Sequence, residues 1–229
     1  MIVGNETNVN RSMNYYVQEP LSVKRRCYAF VKRAFDIVAS ATALIILSPI
    51  MLVVAILVYV DDPGKVFYGH VRIGKNGKPF KMWKFRSMYM NADKMINLLT
   101  PEQTKQYYTE FKIDDDPRIT KIGNFLRKTS LDELPQLFNV LCNDMSLVGP
   151  RPLIESEIQT YYEDTHDVLL AVKPGVTGYW QAYARNNATY QSGERQKMEM
   201  YYVRNVSLWL DIKILFKTVV SVLRKDGAK

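Results

Sequence analysis

Apolar and polar residues are distributed unevenly along this chain. Residues 37–60 include no charged side chain, a run of 24 positions. About 20 apolar residues in a helix cross a hydrocarbon core of roughly 30 Å, so the run is long enough to span a bilayer. Ser48-Pro49 divides it into two halves of 12 residues. Proline lacks the N–H of the helical ladder and crowds the preceding turn, which predicts a bend or break at that pair. Lys24, Arg25, Arg26, Lys32 and Arg33 precede the run, and Lys65, Arg72, Lys75, Lys78, Lys81, Lys84 and Arg86 follow it. Positive flanks favour the cytoplasmic side of a membrane. A re-entrant helix–break–helix hairpin keeps both flanks there. A kinked spanning helix is the other reading, since membrane helices tolerate proline. The run starts too late and is too long for a secretory signal.

The rest of the pattern alternates between strand and helix periods. Residues 1–23 carry neither period and read as a flexible tail, and 24–36 read as a basic amphipathic lead-in. Asp61-Asp62-Pro63-Gly64 is a turn cluster. Residues 66–73 and 79–85 read as strands, joined through Lys75-Asn76-Gly77-Lys78 with its Asn-Gly hairpin signal. Helical periods follow over 92–99 and 101–113, with Thr100 as an N-cap before Pro101. Residues 114–130 are charge-dense and without a period. Residues 133–142 set Leu134, Leu137, Phe138 and Leu141 on one helical face. Loops over 143–152 and 173–181 enclose a mostly helical 154–172. Residues 194–203 and 208–223 read as helices. The last carries a basic stripe of Lys213, Lys217 and Arg224, and is otherwise apolar through Trp209, Ile212, Phe216 and Val219. That pattern fits a helix at the membrane interface and equally a core helix with one solvated face.

Composition narrows the partners. The 229 residues are 47% hydrophobic and 24% charged, an ordinary globular mix, and the length predicts one domain with appendages. The net charge of +8 points to anions: nucleic acid, lipid headgroups or phosphorylated substrates. Nucleic acid is set aside, because no recognition motif is present and the apolar run points to a membrane. The 2 cysteines, Cys27 and Cys142, and the 2 histidines, His70 and His166, are too few for a disulfide framework or a Cys/His metal site. Gly69-His70-Val71-Arg72-Ile73-Gly74-Lys75-Asn76 nearly spells a nucleotide-binding loop. Asn76 replaces the magnesium-binding hydroxyl and the setting is a hairpin, so that reading is set aside too.

Reactive groups are densest in Arg127-Lys128-Thr129-Ser130-Leu131-Asp132-Glu133-Leu134-Pro135-Gln136. Asp132 and Glu133 are adjacent carboxylates at a predicted helix start. Capping is the plain reading: Ser130-x-x-Glu133 matches a capping box, and acidic residues in a first turn complement the helix dipole. With Ser130 as N-cap, however, Pro135 falls at N5 and removes a helical bond. With Asp132 as N-cap it falls at N3, where no bond is lost. Either way the carboxylates stand at a helix N-terminus whose amides suit a phosphate, and Arg127 is five residues away. Adjacent carboxylates repel unless a divalent cation or a proton takes one of them. Arg151, between Pro150 and Pro152, is held for bidentate phosphate contact. Lys81, Lys84 and Arg86 add a cationic strand end. Ordinary surface charge is the plain alternative for each of these cations.

In order, Lys84-Phe85-Arg86-Ser87-Met88, Asp116-Pro117-Arg118-Ile119-Thr120-Lys121-Ile122-Gly123, the 127–136 motif, Asp144-Met145-Ser146-Leu147-Val148-Gly149-Pro150-Arg151-Pro152, Pro174-Gly175-Val176-Thr177-Gly178, Gln181 and Leu208-Trp209-Leu210-Asp211-Ile212-Lys213 resemble the bacterial sugar transferases, the monotopic phosphoglycosyl transferases. The resemblance covers about 28–224. It implies transfer of a hexose-1-phosphate from a UDP-sugar to polyprenyl (undecaprenyl) phosphate with Mg2+, opening capsule, exopolysaccharide or glycoconjugate synthesis at the cytoplasmic face of the bacterial inner membrane. It makes Asp132 the nucleophile and magnesium ligand, and Glu133 its acid/base neighbour. Arg127 and Arg151 become phosphate-binding residues, with Lys84, Arg86 and Gln181 in the substrate site. Ser48-Pro49 becomes the break of a re-entrant membrane helix. Cys142-Asn143 stands where many members have Lys-Gly, and the chain has the extent of the short form.

The sequence therefore predicts an α+β, mostly helical protein. A tail (1–23), a lead-in with a re-entrant helix hairpin (24–62) and a cytoplasmic catalytic domain (63–224) with a β-hairpin and interfacial amphipathic helices make it up. The partners are a UDP-sugar, polyprenyl phosphate and membrane lipid, with no nucleic acid. The sugar stays open, as does assembly into a homo-oligomer. A non-catalytic membrane scaffold, in which Asp132 and Glu133 only cap a helix, is the rival function.

Overall fold

The computed structural model describes residues 23–110, 113, 115–184 and 188–223. The tail expected before Val23 and Arg224 of the basic stripe lie outside the described residues. Helix α1 (Val23–Asp61) takes up the whole apolar run, with Pro49 in its interior. Pro49 has no N–H for the carbonyl four residues back, that of Ile45. Ser48 Oγ donates to that oxygen instead, at 2.8 Å, the substitution by which membrane helices satisfy a carbonyl freed by proline. The expected break is corrected accordingly: one helix containing a proline fills the run, not two helices parted by a non-helical turn.

The most apolar stretch of α1 is only 11% buried, which is not the environment of a soluble core helix. Ile45, Ile46, Leu52, Val53, Ile56 and Val60 are exposed, while Met51, Val54 and Val58 pack with Phe85 and Leu126. An exposed apolar surface of this extent is suited to membrane association. Both ends of α1 are bound to the remainder of the chain. Near the start, Lys32 Nζ pairs with Asp211 at 2.8 Å, and Arg33 donates to the carbonyls of Val140 and Leu141 at 2.6 and 2.9 Å. Leu147 N donates to Asp36 Oδ1 at 3.0 Å. At the other end Ile122 N donates to Asp61 Oδ2 at 3.1 Å, and Arg86 is paired with Asp62.

Strands β1 (Phe67–Ile73) and β2 (Pro79–Phe85) form the expected antiparallel hairpin. Its turn places Asn76 and Gly77 at φ 59° and 74°, the pair of positive values for which Asn-Gly is suited. A short 3₁₀ turn, Lys94–Leu98, replaces the first expected helix. Helix α2 (Pro101–Glu110) follows, and Thr100 caps it reciprocally with Gln103 at 3.2 and 3.1 Å. The charge-dense stretch read as aperiodic contains helix α3 (Lys121–Thr129), whose N-cap Thr120 Oγ1 accepts from Gly123 N at 2.9 Å. Then come α4 (Gln136–Leu141), β3 (Ser146–Val148), α5 (Glu155–Tyr161) and α6 (His166–Leu169). Strand β4 (Gly175–Thr177), α7 (Tyr179–Tyr183), α8 (Glu194–Arg204) and α9 (Leu208–Leu223) complete the order.

Strands β3 and β4 pair in parallel, inside segments read as loops. They approach so closely that a Cβ on Gly175 would lie 2.1 Å from Gly149 N. Val148, Leu153, Ile158, Tyr162, Tyr202 and Ile214 centre the main core. Helix α9 buries Asp211 and Ile214 in it and leaves Trp209, Ile212, Phe216 and Val219 exposed. The fold is α+β and mostly helical, with two small sheets.

Candidate active site

Asn139 sets the frame of the site. Its side chain accepts from Trp83 N at 2.9 Å and donates to Lys81 O at 2.7 Å, so α4 docks along β2 much as a further strand would. That docking brings Lys84, near the end of β2, to the turn before α4. Lys84 Nζ lies 2.6 Å from Glu133 Oε1 and 3.6 Å from Asp132 Oδ2.

The two carboxylates occupy a short 3₁₀ turn, Leu131–Glu133. Both capping expectations are corrected. Ser130 ends α3 with φ 57°, in the left-handed region, and its side chain caps nothing. Helix α4 begins only after Pro135, so the proline removes no bond from it. Left-handed backbone at a non-glycine residue is strained by on the order of 1 kcal/mol; here it turns the chain directly from α3 into the carboxylate pair.

Arg127 is fixed by the approach of α3 to Ser87. A Cβ on Gly123 would lie 1.9 Å from Ser87 O, and Thr120 N donates to that oxygen at 3.1 Å. Arg127 Nε donates to Ser87 Oγ at 2.9 Å, and its charge acts on Asp132 and Asp116. Asp116 is already held by Arg118, through Nε at 2.9 Å and Nη2 at 2.7 Å. Burial pushes the Asp132 carboxyl above the usual carboxylate range, with Glu133 adding to the rise; Lys84 and Arg127 oppose it.

Beside this turn lies an open cleft bordered by Lys84, Glu133, Gln136, Arg151, Gln181 and Arg72, among others. Four residues expected in the site, Lys84, Glu133, Arg151 and Gln181, meet there. Asp132 adjoins the cleft next to Lys84 and Glu133 without lining it, and Arg127 acts on Asp132 through its charge. Arg86 is elsewhere: it is buried against Asp62 and the Val58 carbonyl, where it ties the end of α1 to β2.

Arg151 is positioned through its backbone. Its N–H donates to Glu199 Oε1 and Oε2 at 3.2 and 3.3 Å. Burial pushes Glu199 up to about 7, against the lowering effects of that hydrogen bond and of Arg195 and Arg151. The Arg151 guanidinium lies 5.8 Å from the Trp180 ring, and Arg195 stacks between Trp180 and Tyr190 at 4.2 and 3.9 Å. The sequence does not mark Arg72, Arg195 or Glu199 as neighbours of the site, and Gln136 stands in the 127–136 motif without a role. These groups converge through tertiary packing, and only Arg151 carries a local signal, its Pro-Arg-Pro bracket.

Among the described residues no group of three or more His, Cys, Asp or Glu side chains is gathered for a metal ion. Magnesium is commonly held by one or two carboxylates together with substrate phosphates and water. The hard carboxylate oxygens of Asp132 fit that mode, while Glu133 beside it is ion-paired to Lys84.

The description "bacterial sugar transferase" matches residues 27–225. The chain belongs to this family. It is 49% identical to undecaprenyl-phosphate galactose phosphotransferase of Salmonella typhimurium over 90% of this chain and 43% of that one. It is 41% identical to UDP-glucose:undecaprenyl-phosphate glucose-1-phosphate transferase of Escherichia coli, over 87% of this chain and 41% of the relative. Against the exopolysaccharide production protein ExoY of Sinorhizobium fredii it is 41% identical, over 93% and 95% of the two chains. The chain thus spans less than half of the first two relatives and nearly all of the third. Asn143 takes φ 73°, a geometry asparagine tolerates, and its Oδ1 accepts from Lys173 Nζ.

Proposed function

We propose that this sugar transferase moves a hexose-1-phosphate from a UDP-sugar to polyprenyl phosphate, through a covalent intermediate on Asp132, giving polyprenyl-diphosphate-sugar and UMP. The observation that carries the reading is the buried Asp132 beside Glu133, held between Lys84 and Arg127 at the edge of a cleft bordered by Arg151. An Asp132 oxygen attacks the β-phosphorus of the donor. The bond from that phosphorus to the UMP oxygen breaks, and UMP leaves with the electron pair. An oxygen of polyprenyl phosphate then attacks the same phosphorus and releases Asp132. Lys84 and Arg127 keep the buried carboxylate ionised for the first attack, and Arg151 offsets phosphate charge that would otherwise repel it. Glu133, ion-paired to Lys84 at 2.6 Å, serves the proton and charge balance next to the nucleophile. Asp132 with donor phosphate oxygens would hold Mg2+, which when bound supplies further charge neutralisation at the diphosphate. Covalent catalysis divides a transfer between two bulky anions into two displacements.

The names of the relatives support the lipid acceptor and a role in exopolysaccharide production. We further read α1 as a re-entrant helix at the cytoplasmic face of the inner membrane. Its support is that Lys32, Arg33 and Asp36 at one end and Asp61 and Asp62 at the other bind one catalytic domain, which can lie on only one side of a bilayer. The exposed Trp209, Ile212 and Phe216 of α9 would rest on the same surface. The test is UMP release from a panel of UDP-sugars with and without polyprenyl phosphate. Acceptor-dependent turnover with at least one sugar is expected. A folded, membrane-bound protein with no turnover on any of them would favour the scaffold.

A further inference from the structure

We propose that Arg72, together with Arg151, forms a single phosphate subsite used twice: first by the phosphate of departing UMP, then by the phosphate of the lipid acceptor. Glu157 is the positioning residue for Arg72. The inference rests on the two-step transfer proposed above and deepens it.

Arg72 lies on β1 and borders the cleft with Lys84, Glu133 and Arg151. Its side chain is 11% exposed. Glu157 Oε2 accepts from Arg72 Nη1 at 3.2 Å. Glu157 is itself fixed by Ile154 N at 3.0 Å and Tyr190 OH at 3.1 Å, so it presents Arg72 to the cleft from a rigid base. The Nε atoms of Arg72 and Arg151 are buried without a hydrogen-bond partner among the described residues. Glu199 binds the backbone of Arg151, not its guanidinium. Two guanidinium groups thus border one cleft, with Glu157 the carboxylate paired to Arg72, His70 Nδ1 3.3 Å from Arg72 Nη2, and Glu133 ion-paired to Lys84. Crowded, desolvated cations of one sign are unfavourable until an anion joins them. Paired guanidiniums match the oxygens of a phosphate.

Displacement at phosphorus supplies the second part. Attacking and leaving oxygens lie roughly in line. In the first step the bond from Asp132 forms opposite the bond to UMP that breaks. In the second step the bond to Asp132 breaks, with its electron pair returning to the carboxylate, so the acceptor oxygen must enter from the opposite side. That is the position UMP has left. One cationic subsite facing Asp132 across the reacting phosphorus therefore serves both phosphates, and Arg72 acts in both steps.

The experiment uses the full chain in detergent or nanodiscs. It compares wild type with Arg72→Gln, Arg72→Lys and Glu157→Gln, following UMP release with UDP-sugar alone, discharge onto polyprenyl phosphate, and inhibition of discharge by added UMP. Arg72→Gln is expected to slow both steps at least tenfold and to weaken UMP inhibition at least fivefold. UMP competes with polyprenyl phosphate in the wild type. Arg72→Lys recovers part of the UMP affinity, and Glu157→Gln follows Arg72→Gln more weakly. Correction for the folded fraction, read by thermal melting, removes any effect of a lost ion pair on stability. If folded Arg72→Gln binds UMP as wild type does, or loses only one of the two steps, the shared subsite is wrong. If wild type releases no UMP without acceptor, the covalent reading fails; the KM for acceptor and the UMP inhibition of overall turnover then decide the role of Arg72 separately.

Discussion

Asp132 is buried, and burial alone favours its protonated, non-nucleophilic form. Lys84 at 3.6 Å and Arg127 oppose that tendency. Removing one of them raises the Asp132 pKa further, so Lys84→Met should move the acid limb of the kcat/KM profile to higher pH. A lower rate with an unmoved limb would mean that Lys84 serves substrate binding alone. Arg151→Lys keeps the charge and loses the fork, and activity should fall at least about tenfold, or ~1.4 kcal/mol of transition-state binding. Unchanged kinetics would return Arg151 to the role of a surface charge. Much of this site was legible in advance. Asp132-Glu133, Lys84 and Arg151 stand out in the sequence itself and Gln181 through the family resemblance, and they meet around one cleft edge. Arg72 was passed over because its neighbourhood imitates a nucleotide loop, and a strand's alternation does not say which face meets another element. Arg86 looked equivalent to Lys84, yet packing commits it to Asp62.

At the scale of elements, the apolar run, the hairpin, α8 and α9 followed from periodicity and Asn-Gly chemistry. Helix α3 does carry a helical period, with Ile122, Phe125 and Leu126 on one face, but it is only nine residues long and set in a charge-dense stretch that reads as a polar loop. Its Gly123 is required by contact: a Cβ would meet the Ser87 carbonyl, which is backbone and cannot rotate away. Gly123→Ala should destabilise the fold by roughly 1–3 kcal/mol, lowering Tm by several degrees, and should weaken activity by displacing Arg127 from Ser87. An unchanged Tm would mean that α3 is not pressed against that strand end. Strands β3 and β4 have three residues each, too short for any alternation to register. The expected break in α1 failed for a local reason, since Ser48 supplies the hydrogen bond that Pro49 withholds. A proline-containing helix can still bend sharply, so single cysteines at 24 and 65, with Cys27 and Cys142 removed, should both resist a periplasmic thiol reagent. Labelling of either from outside would rule out re-entry. Replacing Ser48 with Ala and Pro49 with Leu should expose one of them.

Across the whole molecule, the membrane helix and the chemistry are joined through few elements. The core that holds Met51, Val54 and Val58 of α1 also takes in Leu126, beside Arg127, and Leu131 and Leu134, which flank Asp132-Glu133. Asp132 is thereby held at the base of the exposed apolar helix, where under the proposed function a soluble donor and a lipid-borne acceptor would both reach it. A scaffold would have no need to bury a carboxylate there, and the central claim is that this carboxylate carries the sugar phosphate between the two substrates. Intact-mass measurement after incubation with UDP-sugar alone tests it most directly, with Asp132→Asn as the comparison. The amide is nearly isosteric, so both proteins should fold. Wild type should release UMP stoichiometrically and gain the mass of one sugar phosphate, and Asp132→Asn should gain none and show no turnover. Turnover by Asp132→Asn above a few per cent of wild type, with reversion to aspartate excluded by mass, would contradict the account and favour direct attack by the lipid phosphate.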